Sequence, residues 1–256
     1  MTSPHTSPSE GFSTLIVLPT FNEAGNLDWI LDRILVSIPR GHVLIVDDAS
    51  SDGTGEIADR RTAADPRIHV LHRQGKLGLG SAYIAGFRWG IEEGFSTLVE
   101  MDADGSHPPE SLPAMLAHHA DEAGADLVIG SRWVAGGSVV NWPRSRQLLS
   151  RAGNAYARLV LRLTVKDVTA GFRVYAASDI AAMDLADVDS KGYCFQVDMT
   201  LRLLDAGGAV FEYPIEFRER ERGESKMSRA IVIEAMLRVT LWGMQRFARG
   251  LTHRSL

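Results

Sequence analysis

The chain has 256 residues, 45% of them hydrophobic, and a formal net charge of −5 at pH 7. The apolar share is enough for a real core, and the negative charge argues against a general nucleic-acid binder. The length predicts one large α/β domain, or a domain with a small extension. The single cysteine, Cys194, excludes a disulfide within the chain, which fits a reducing cytosol.

The two ends of the sequence differ in character from its middle. Residues 1–12 are rich in Ser and Pro and lack an apolar core, so we predict a disordered tail rather than a signal peptide. No stretch reaches the roughly 18 uncharged apolar residues that a membrane-spanning helix needs. We expect one domain over 13–228, followed by an amphipathic helix and tail over 229–256.

Strand and helix patterns alternate regularly through the first half of the chain. Apolar runs predict strands at 14–19, 43–46, 68–71, 96–101 and 127–130. Helical spacing or helix-start signals predict helices at 27–36, 54–64, 81–93 and 109–123. This β-α order predicts a parallel sheet with right-handed crossovers.

The alternation breaks after Arg132. A glycine-rich loop is expected at 134–142, and a charged loop at 218–226. The other predicted elements are helices at 144–163, 180–185, 195–206 and 229–249, and strands at 172–175 and 209–217.

The stretch from Glu100 to Glu110 is the most informative part of the sequence. Asp102 and Asp104 follow a predicted strand, and Gly105 frees the backbone for a turn. Two carboxylates on such a turn can converge on Mg²⁺ or Mn²⁺, which prefer oxygen ligands. The alternative is a solvated turn in which an aspartate caps the next helix.

Two further strand ends carry carboxylates. Glu23 follows the first strand, and Asp47 and Asp48 end the second. They can accept hydrogen bonds from ribose hydroxyls and base N–H groups, or they can simply cap the helices that follow. The loop Gly75–Ser81 lacks the order of a P-loop, and a close-packed strand-to-helix turn is its alternative reading.

Basic residues gather after strand ends of this acidic chain, which suggests anionic substrates, although solvated surface charge is the alternative for any single one. The members of this set are Arg132, Arg144, Arg146, Arg151, Arg218, Arg220, Arg222 and Lys226.

Together these residues resemble family 2 glycosyltransferases of the GT-A fold, and within them the dolichyl- or polyprenyl-phosphate mannose synthases. The matching segments are, in chain order, Leu18–Glu23, Val46–Thr54, Gly78–Tyr83, Met101–Pro109, Gly130–Trp133, Asp167–Arg173, Gly192–Gln196 and Gly223–Lys226. The resemblance implies a Rossmann-like, mainly parallel sheet flanked by helices, with a C-terminal helical extension. It also implies transfer of mannose from GDP-mannose to a polyprenyl phosphate with inversion at the anomeric carbon.

The resemblance carries specific roles onto this sequence. The residues implied to bind the nucleotide sugar are Pro19, Phe21, Glu23, Val46, Asp48, Asp102, Ala103, Asp104, Arg220 and Lys226. Those implied to be catalytic are Asp102, Asp104, Arg220 and Lys226. The acceptor phosphate would be held by Arg132, Arg146 and Ser150, and Mg²⁺ or Mn²⁺ by Asp104 and Ser106.

The sequence departs from the family pattern at three positions within or next to the matching segments. Phe21 stands where tyrosine is common, Ser106 where many relatives have glutamine, and Asp198 where glutamate is usual. An acceptor phosphate that is already anionic needs no strong general base, so no catalytic histidine is required. His107 is interpreted as a turn residue or as a side chain that supports the site residues without touching the substrate.

A lipid-linked acceptor predicts a protein bound peripherally to the cytoplasmic face of a membrane. The predicted helices at 144–163 and 229–249 mix apolar residues with arginines, which suits an anionic membrane surface, and core or dimer packing is the alternative. A separate integral membrane subunit is one means of recruitment. Two other functions stay open: a polyprenyl-phosphate glucosyltransferase that uses UDP-glucose, and a non-catalytic subunit that binds lipid phosphate or nucleotide.

Overall fold

The computed structural model describes residues 14–120, 124–183, 185, 188, 193–219 and 229–252. Its first half follows the predicted alternation of strands and helices. The elements are β1 Thr14–Thr20, α1 Leu27–Ser37, β2 His42–Asp47, α2 Thr54–Ala64, β3 Ile68–His72, α3 Leu79–Glu92, β4 Thr97–Glu100, a 3-10 turn Pro109–Ser111, α4 Leu112–Ala120 and β5 Leu127–Ser131.

The second half is less regular. Its elements are β6 Ser138–Val140, α5 Arg144–Leu161, β7 Arg173–Ala176, α6 Ala177–Ala182, α7 Tyr193–Asp205, β8 Val210–Pro214, β9 Glu216–Arg218 and α8 Arg229–Thr252. None of the helices within the described ranges is long and apolar enough to span a bilayer.

Seven strands form the main sheet in the order β3-β2-β1-β4-β7-β5-β8. All neighbours are parallel except β7, which runs antiparallel to both β4 and β5. Arg173 begins β7 opposite Glu100, the last residue of β4, because the chain returns to the sheet at the edge where β4 ends. The mainly parallel sheet is therefore confirmed, and β7 is the strand that departs from the parallel direction.

Two details of the second half correct the sequence prediction. The expected loop 134–142 contains β6, which pairs in parallel with β9. The single strand expected at 209–217 is divided at Ile215, whose N–H donates to Ser131 and whose carbonyl accepts from Ser138. The two strands of this ribbon, β6 and β9, are therefore far apart in the sequence, and neither can be recognised as a paired strand from its own residues.

Both faces of the sheet are buried, as the continuous apolar runs predict. Side chains alternate along β1: Leu15 and Val17 enter the cluster that includes Phe87, while Ile16 and Leu18 enter the cluster that includes Ile30.

Helix α3 lies directly against the sheet. A Cβ atom at Gly90 would come within 2.7 Å of both Leu15 and Leu98, so a larger residue here would have to displace these two core leucines. The close packing places Tyr83, on the same helix, beneath the turn that follows β4.

Candidate active site

A cleft of about 330 Å³ opens at the edge where β1, β2, β4 and β5 end, which is where open α/β sheets bind ligands. The predicted residues that line it are Pro19, Phe21, Glu23, Asp48, Asp102, Ala103, Asp104, Ser106, Arg132 and Arg146. Residues from the acidic set and the basic set therefore share one cleft.

Four predicted site residues are not among those that line the cleft. Val46 is fully buried in the core under the strand end. Ser150 lies on α5, where its carbonyl accepts a hydrogen bond from Asn154. Arg220 and Lys226 lie outside the described residues.

The acidic turn after β4 is fixed by hydrogen bonds from three directions. Tyr83 Oη donates to Asp102 Oδ1 at 3.0 Å, and the backbone N–H of Ser106 donates to Asp104 Oδ1 at 3.0 Å. The backbone N–H of Asp102 donates to His107 Nδ1 at 3.0 Å. Burial, helped by the Asp102 carboxylate, raises the pKa of Tyr83 well above its usual value, so its hydroxyl stays available as a donor.

The oxygen atoms of this turn suit a divalent cation. Ser106 Oγ is buried and has no hydrogen-bond partner in the described part of the chain, although it is next to the Asp104 turn and lines the cleft. A hydroxyl and a carboxylate are hard ligands of the kind that Mg²⁺ and Mn²⁺ prefer. The described residues contain no cluster of three or more His, Cys, Asp or Glu side chains that could hold a metal ion. Substrate phosphate oxygens and waters are ligands that such an ion commonly takes in addition.

The carboxylates at the end of β2 have different partners. Asp47 Oδ1 accepts from Thr20 Oγ1 at 3.0 Å and from Ser50 Oγ at 2.6 Å, so Asp47 joins two strand ends. Asp48 Oδ1 accepts from Arg73 Nη1 at 2.8 Å, and its Oδ2 accepts from the backbone N–H of Leu77 at 3.3 Å. Burial raises the pKa of Asp48 despite the arginine.

The capping alternatives are resolved by these contacts. Asp52, rather than Asp47 or Asp48, accepts from the backbone N–H of Thr54 at the start of α2. Glu23 has a local role as well as a place in the cleft, because its Oε2 accepts from Asn26 Nδ2 at 2.8 Å.

Phe21 has a basic neighbour that the sequence did not single out. Lys76 Nζ lies 4.0 Å from the centre of the Phe21 ring, and both side chains line the cleft. The position of Lys76 just after β3 is the signal that could have identified it, because ligands gather beyond the carboxyl ends of such strands.

Both predicted acceptor arginines already contact carboxylates. Arg132 donates from Nε to Asp167 Oδ2 at 2.8 Å and from Nη2 to Asp167 Oδ1 at 2.6 Å, a two-point geometry between buried side chains. Arg146 Nη1 donates to Glu219, and its guanidinium lies 4.4 Å from the centre of the Trp142 ring. Within the described residues the side-chain hydrogen bonds of Arg132 come from Nε and Nη2, and none from Nη1.

A buried polar pair supports the floor of the cleft. Gln196, which lines the cleft, donates from Nε2 to Glu100 Oε2 at 2.7 Å. Glu100 is fully buried, and burial raises its pKa to about 7. From the sequence alone, Gln196 is only the end of the matching segment Gly192–Gln196 and has no assigned role.

A sequence model of glycosyl transferase family 2 matches residues 15–182, about two thirds of the chain. The chain belongs to glycosyltransferase family 2. This glycosyltransferase is 55% identical over 240 residues to the undecaprenyl-phosphate mannosyltransferase of Micrococcus luteus, which covers 94% of this chain and 98% of that protein. It is 52% identical over 233 residues to the polyprenol monophosphomannose synthase of Mycolicibacterium smegmatis, with 91% and 87% covered.

Solved structures show that the fold of the glycosyltransferase is shared more widely. Glucosyl-3-phosphoglycerate synthase from Mycobacterium tuberculosis, in complex with phosphoglyceric acid, superposes with a TM-score of 0.67 at 19% identity, over 90% of this chain and 80% of that one. Its complex with Mn²⁺, uridine diphosphate and glucosyl-3-phosphoglycerate gives a TM-score of 0.63 at 19% identity, over 91% and 79%. The predicted fold class is thereby confirmed.

Proposed function

We propose that this glycosyltransferase moves mannose from GDP-mannose to a polyprenyl phosphate and inverts the anomeric carbon. The observation that supports this most is that one cleft is lined by the acidic turn, with Asp102 and Asp104, and by two arginines, Arg132 and Arg146. A nucleotide diphosphate sugar suits the first group and an anionic acceptor the second. Two relatives more than 50% identical are named for mannose transfer or synthesis on a lipid phosphate.

The chemistry needs orientation and charge compensation more than it needs a base. An oxygen of the acceptor phosphate attacks the anomeric carbon while the bond from that carbon to the GDP oxygen breaks, so no proton has to move. Arg132 and Arg146 would hold the acceptor phosphate in line for attack. Asp102 would border the donor diphosphate, in an orientation fixed by the Tyr83 hydroxyl.

Asp104 and Ser106 would hold the Mg²⁺ or Mn²⁺ ion. Such an ion supplies charge stabilisation for the leaving diphosphate. Arg220 and Lys226 are predicted to contact the same diphosphate and to stabilise its charge as GDP leaves.

We also propose that the enzyme acts while bound peripherally to the cytoplasmic face of a membrane, alone or through a separate integral membrane subunit. Helix α5 exposes Leu148 and Leu159, and α8 exposes Leu237 and Leu241. The two helices contact each other through Tyr156 and Thr240, whose hydroxyls lie 2.6 Å apart. Arginines on the same helices would favour anionic lipid.

The test of the catalytic proposal is product formation from labelled GDP-mannose and a short polyprenyl phosphate in the presence of Mg²⁺ or Mn²⁺. We expect lipid-linked mannose from the wild type and its loss when the metal is chelated. Asp104→Ala should lower turnover roughly a hundredfold or more, because a bound metal ion contributes several kcal/mol to transition-state stabilisation.

The matched control is Glu110→Ala, which removes a carboxylate a few residues further along that pairs with Arg33 on the surface. It should keep the wild-type rate. Transfer from UDP-glucose but not from GDP-mannose would replace the proposal by the glucosyltransferase alternative. Binding of both ligands with no transfer from either donor would favour the non-catalytic subunit.

A further inference from the structure

His107 lies inside the cleft, and its tautomer follows from its contacts. The backbone N–H of Asp102 donates to His107 Nδ1 at 3.0 Å. An amide N–H can only donate, so Nδ1 must carry a lone pair and the ring hydrogen must be on Nε2. The interaction that shapes the acidic turn thereby leaves a hydrogen-bond donor on the other side of the ring.

The ring is held too firmly to turn this donor away. It stacks on Phe172 with centroids 5.2 Å apart and an interplanar angle of 12°, and the edge contact with Phe217 has centroids 5.5 Å apart. Gly171 lies against this edge of the ring, where an added Cβ would be in van der Waals contact at 4.0 Å from Nε2, so the glycine keeps a side chain off the edge. Nε2 has no hydrogen-bond partner among the residues that the structure describes, and His107 lines the cleft.

The surroundings of His107 place it where the two halves of the cleft meet. On one side it accepts a hydrogen bond from the backbone of Asp102 in the acidic turn. On the other it shares the Phe217 ring with Arg132, whose guanidinium carbon lies 5.4 Å from the centre of that ring. Arg132 is already paired with Asp167, so a phosphate bound there would need donors besides this arginine.

We propose that His107 donates a hydrogen bond from Nε2 to an oxygen of the acceptor phosphate and so helps to orient the attacking oxygen. This rests on the proposed function, because it takes the acceptor to be a phosphate monoester. A donor without charge suits the position, because it adds no second positive charge on the Phe217 ring that Arg132 also contacts.

Two substitutions separate this role from support of the turn. In His107→Asn the amide oxygen can occupy the place of Nδ1 and accept from the Asp102 N–H, but nothing replaces Nε2. In His107→Gln the amide nitrogen can occupy the place of Nε2, but the acceptor for Asp102 is lost. The first variant keeps the turn and removes the donor, and the second does the reverse.

We expect His107→Asn to lower kcat/KM for a short polyprenyl phosphate roughly 10- to 100-fold, the size of a lost hydrogen bond to a charged group. Its GDP affinity in the presence of Mg²⁺, measured by calorimetry, should stay within about twofold of the wild type, as should its KM for GDP-mannose. His107→Gln should keep more of the acceptor kcat/KM than the Asn variant does, and should melt at a lower temperature than the wild type.

A second readout needs no turnover. Calorimetric titration of the enzyme loaded with GDP and Mg²⁺ by a soluble short-chain prenyl phosphate should show weaker binding for His107→Asn than for the wild type. If the wild type bound this ligand but made no product, the proposed function would fail. The contact between His107 and the phosphate would still be tested by the difference in affinity between the wild type and His107→Asn. Acceptor kcat/KM and prenyl phosphate affinity within twofold of the wild type in His107→Asn would overturn the inference, as would a loss confined to the KM for GDP-mannose.

Discussion

At the scale of single residues, Arg132 and Asp167 form a buried ion pair at the site. Asp167 is completely buried, and it accepts from the backbone N–H, Nε and Nη2 of Arg132. Asn154 Nδ2 donates to the same carboxylate at 3.2 Å. The carboxylate therefore fixes the direction in which the guanidinium faces the cleft.

Replacing Asp167 by Asn tests how much this ion pair contributes to stability. The substitution keeps the shape but leaves the Arg132 charge buried without compensation, which typically costs about 3–5 kcal/mol. We expect the free energy of unfolding, measured by urea denaturation, to fall by about this amount. The control is Asp28→Asn, which weakens the surface ion pairs of Asp28 with Arg60 and Arg61 and should cost about 1 kcal/mol. Equal losses in the two variants would contradict a buried, uncompensated charge.

The same residues show how far sequence reasoning reaches at the site. Asp102, Asp104 and Arg132 follow apolar runs, so their position beyond strand ends could be predicted. The partner of Arg132 could not, because Asp167 is 35 residues away and reaches it only after α5 has crossed the molecule. Phe217 and Glu219 gave no local signal either, since the pairing of β9 with β6 brings them to the cleft.

At the scale of elements, β2 and β3 are joined by an unusual pair of side chains. His42 Nδ1 and His69 Nε2 lie 3.1 Å apart, and the two rings stack with centroids separated by 5.4 Å. Trp89 and Phe95 pack against this pair. Burial lowers the pKa of His42, helped by Arg67, and burial and His42 lower the pKa of His69; Asp65 and Glu93 oppose these shifts.

The pair predicts a loss of stability on the acid side. In the unfolded chain both rings titrate near their usual pKa of about 6.5, whereas in the folded protein their pKa values are lower. The unfolded state therefore binds more protons as the pH falls through this range, so stability present above about pH 6.5 is lost below it. His69→Gln removes one titrating ring and should flatten the dependence of the unfolding free energy on pH between 5 and 7.5.

The control for this measurement is His72→Gln, which removes an exposed ring at the other end of β3. This variant keeps both rings of the His42–His69 pair, so the loss of stability that the pair causes between pH 7.5 and 5 should remain. If His69→Gln lost as much stability as the wild type between pH 7.5 and 5, the coupling of the pair to folding would be refuted.

The elements themselves were predictable where local pattern and tertiary environment agree. The first five strands and α2 lie close to where apolar runs and helix-start signals put them. The antiparallel direction of β7 has no local signature. A strand of four residues shows the same kind of side-chain pattern whether it pairs in parallel or antiparallel. The helix expected at 109–123 begins instead as a 3-10 turn, and α4 starts only at Leu112.

At the scale of the whole molecule, the cleft and the apolar helix surface are separate features. The cleft lies at the carboxyl edge of the parallel strands, and its lining combines charged side chains of both signs with apolar surface. Helices α5 and α8 pack on one another, where Val160 meets Gly243, and leave large apolar side chains exposed. An enzyme acting on a lipid-linked phosphate would need both features, one for the head group and one for the bilayer surface.

Membrane binding through this surface can be tested by sedimentation with vesicles of phosphatidylcholine and phosphatidylglycerol. The wild type should bind, more weakly as salt rises, because surface arginines contribute to attraction by anionic lipid. Leu159, whose side chain on α5 is 80% exposed, should insert into the interface. Leu159→Glu should weaken vesicle binding about tenfold or more, since it removes a leucine that would be buried and adds a repelled charge.

Val36→Glu is the matched control, because Val36 on α1 is 79% exposed but belongs to neither helix. If both variants sedimented like the wild type, or if Val36→Glu lost as much binding as Leu159→Glu, this surface would not be the one that meets the membrane.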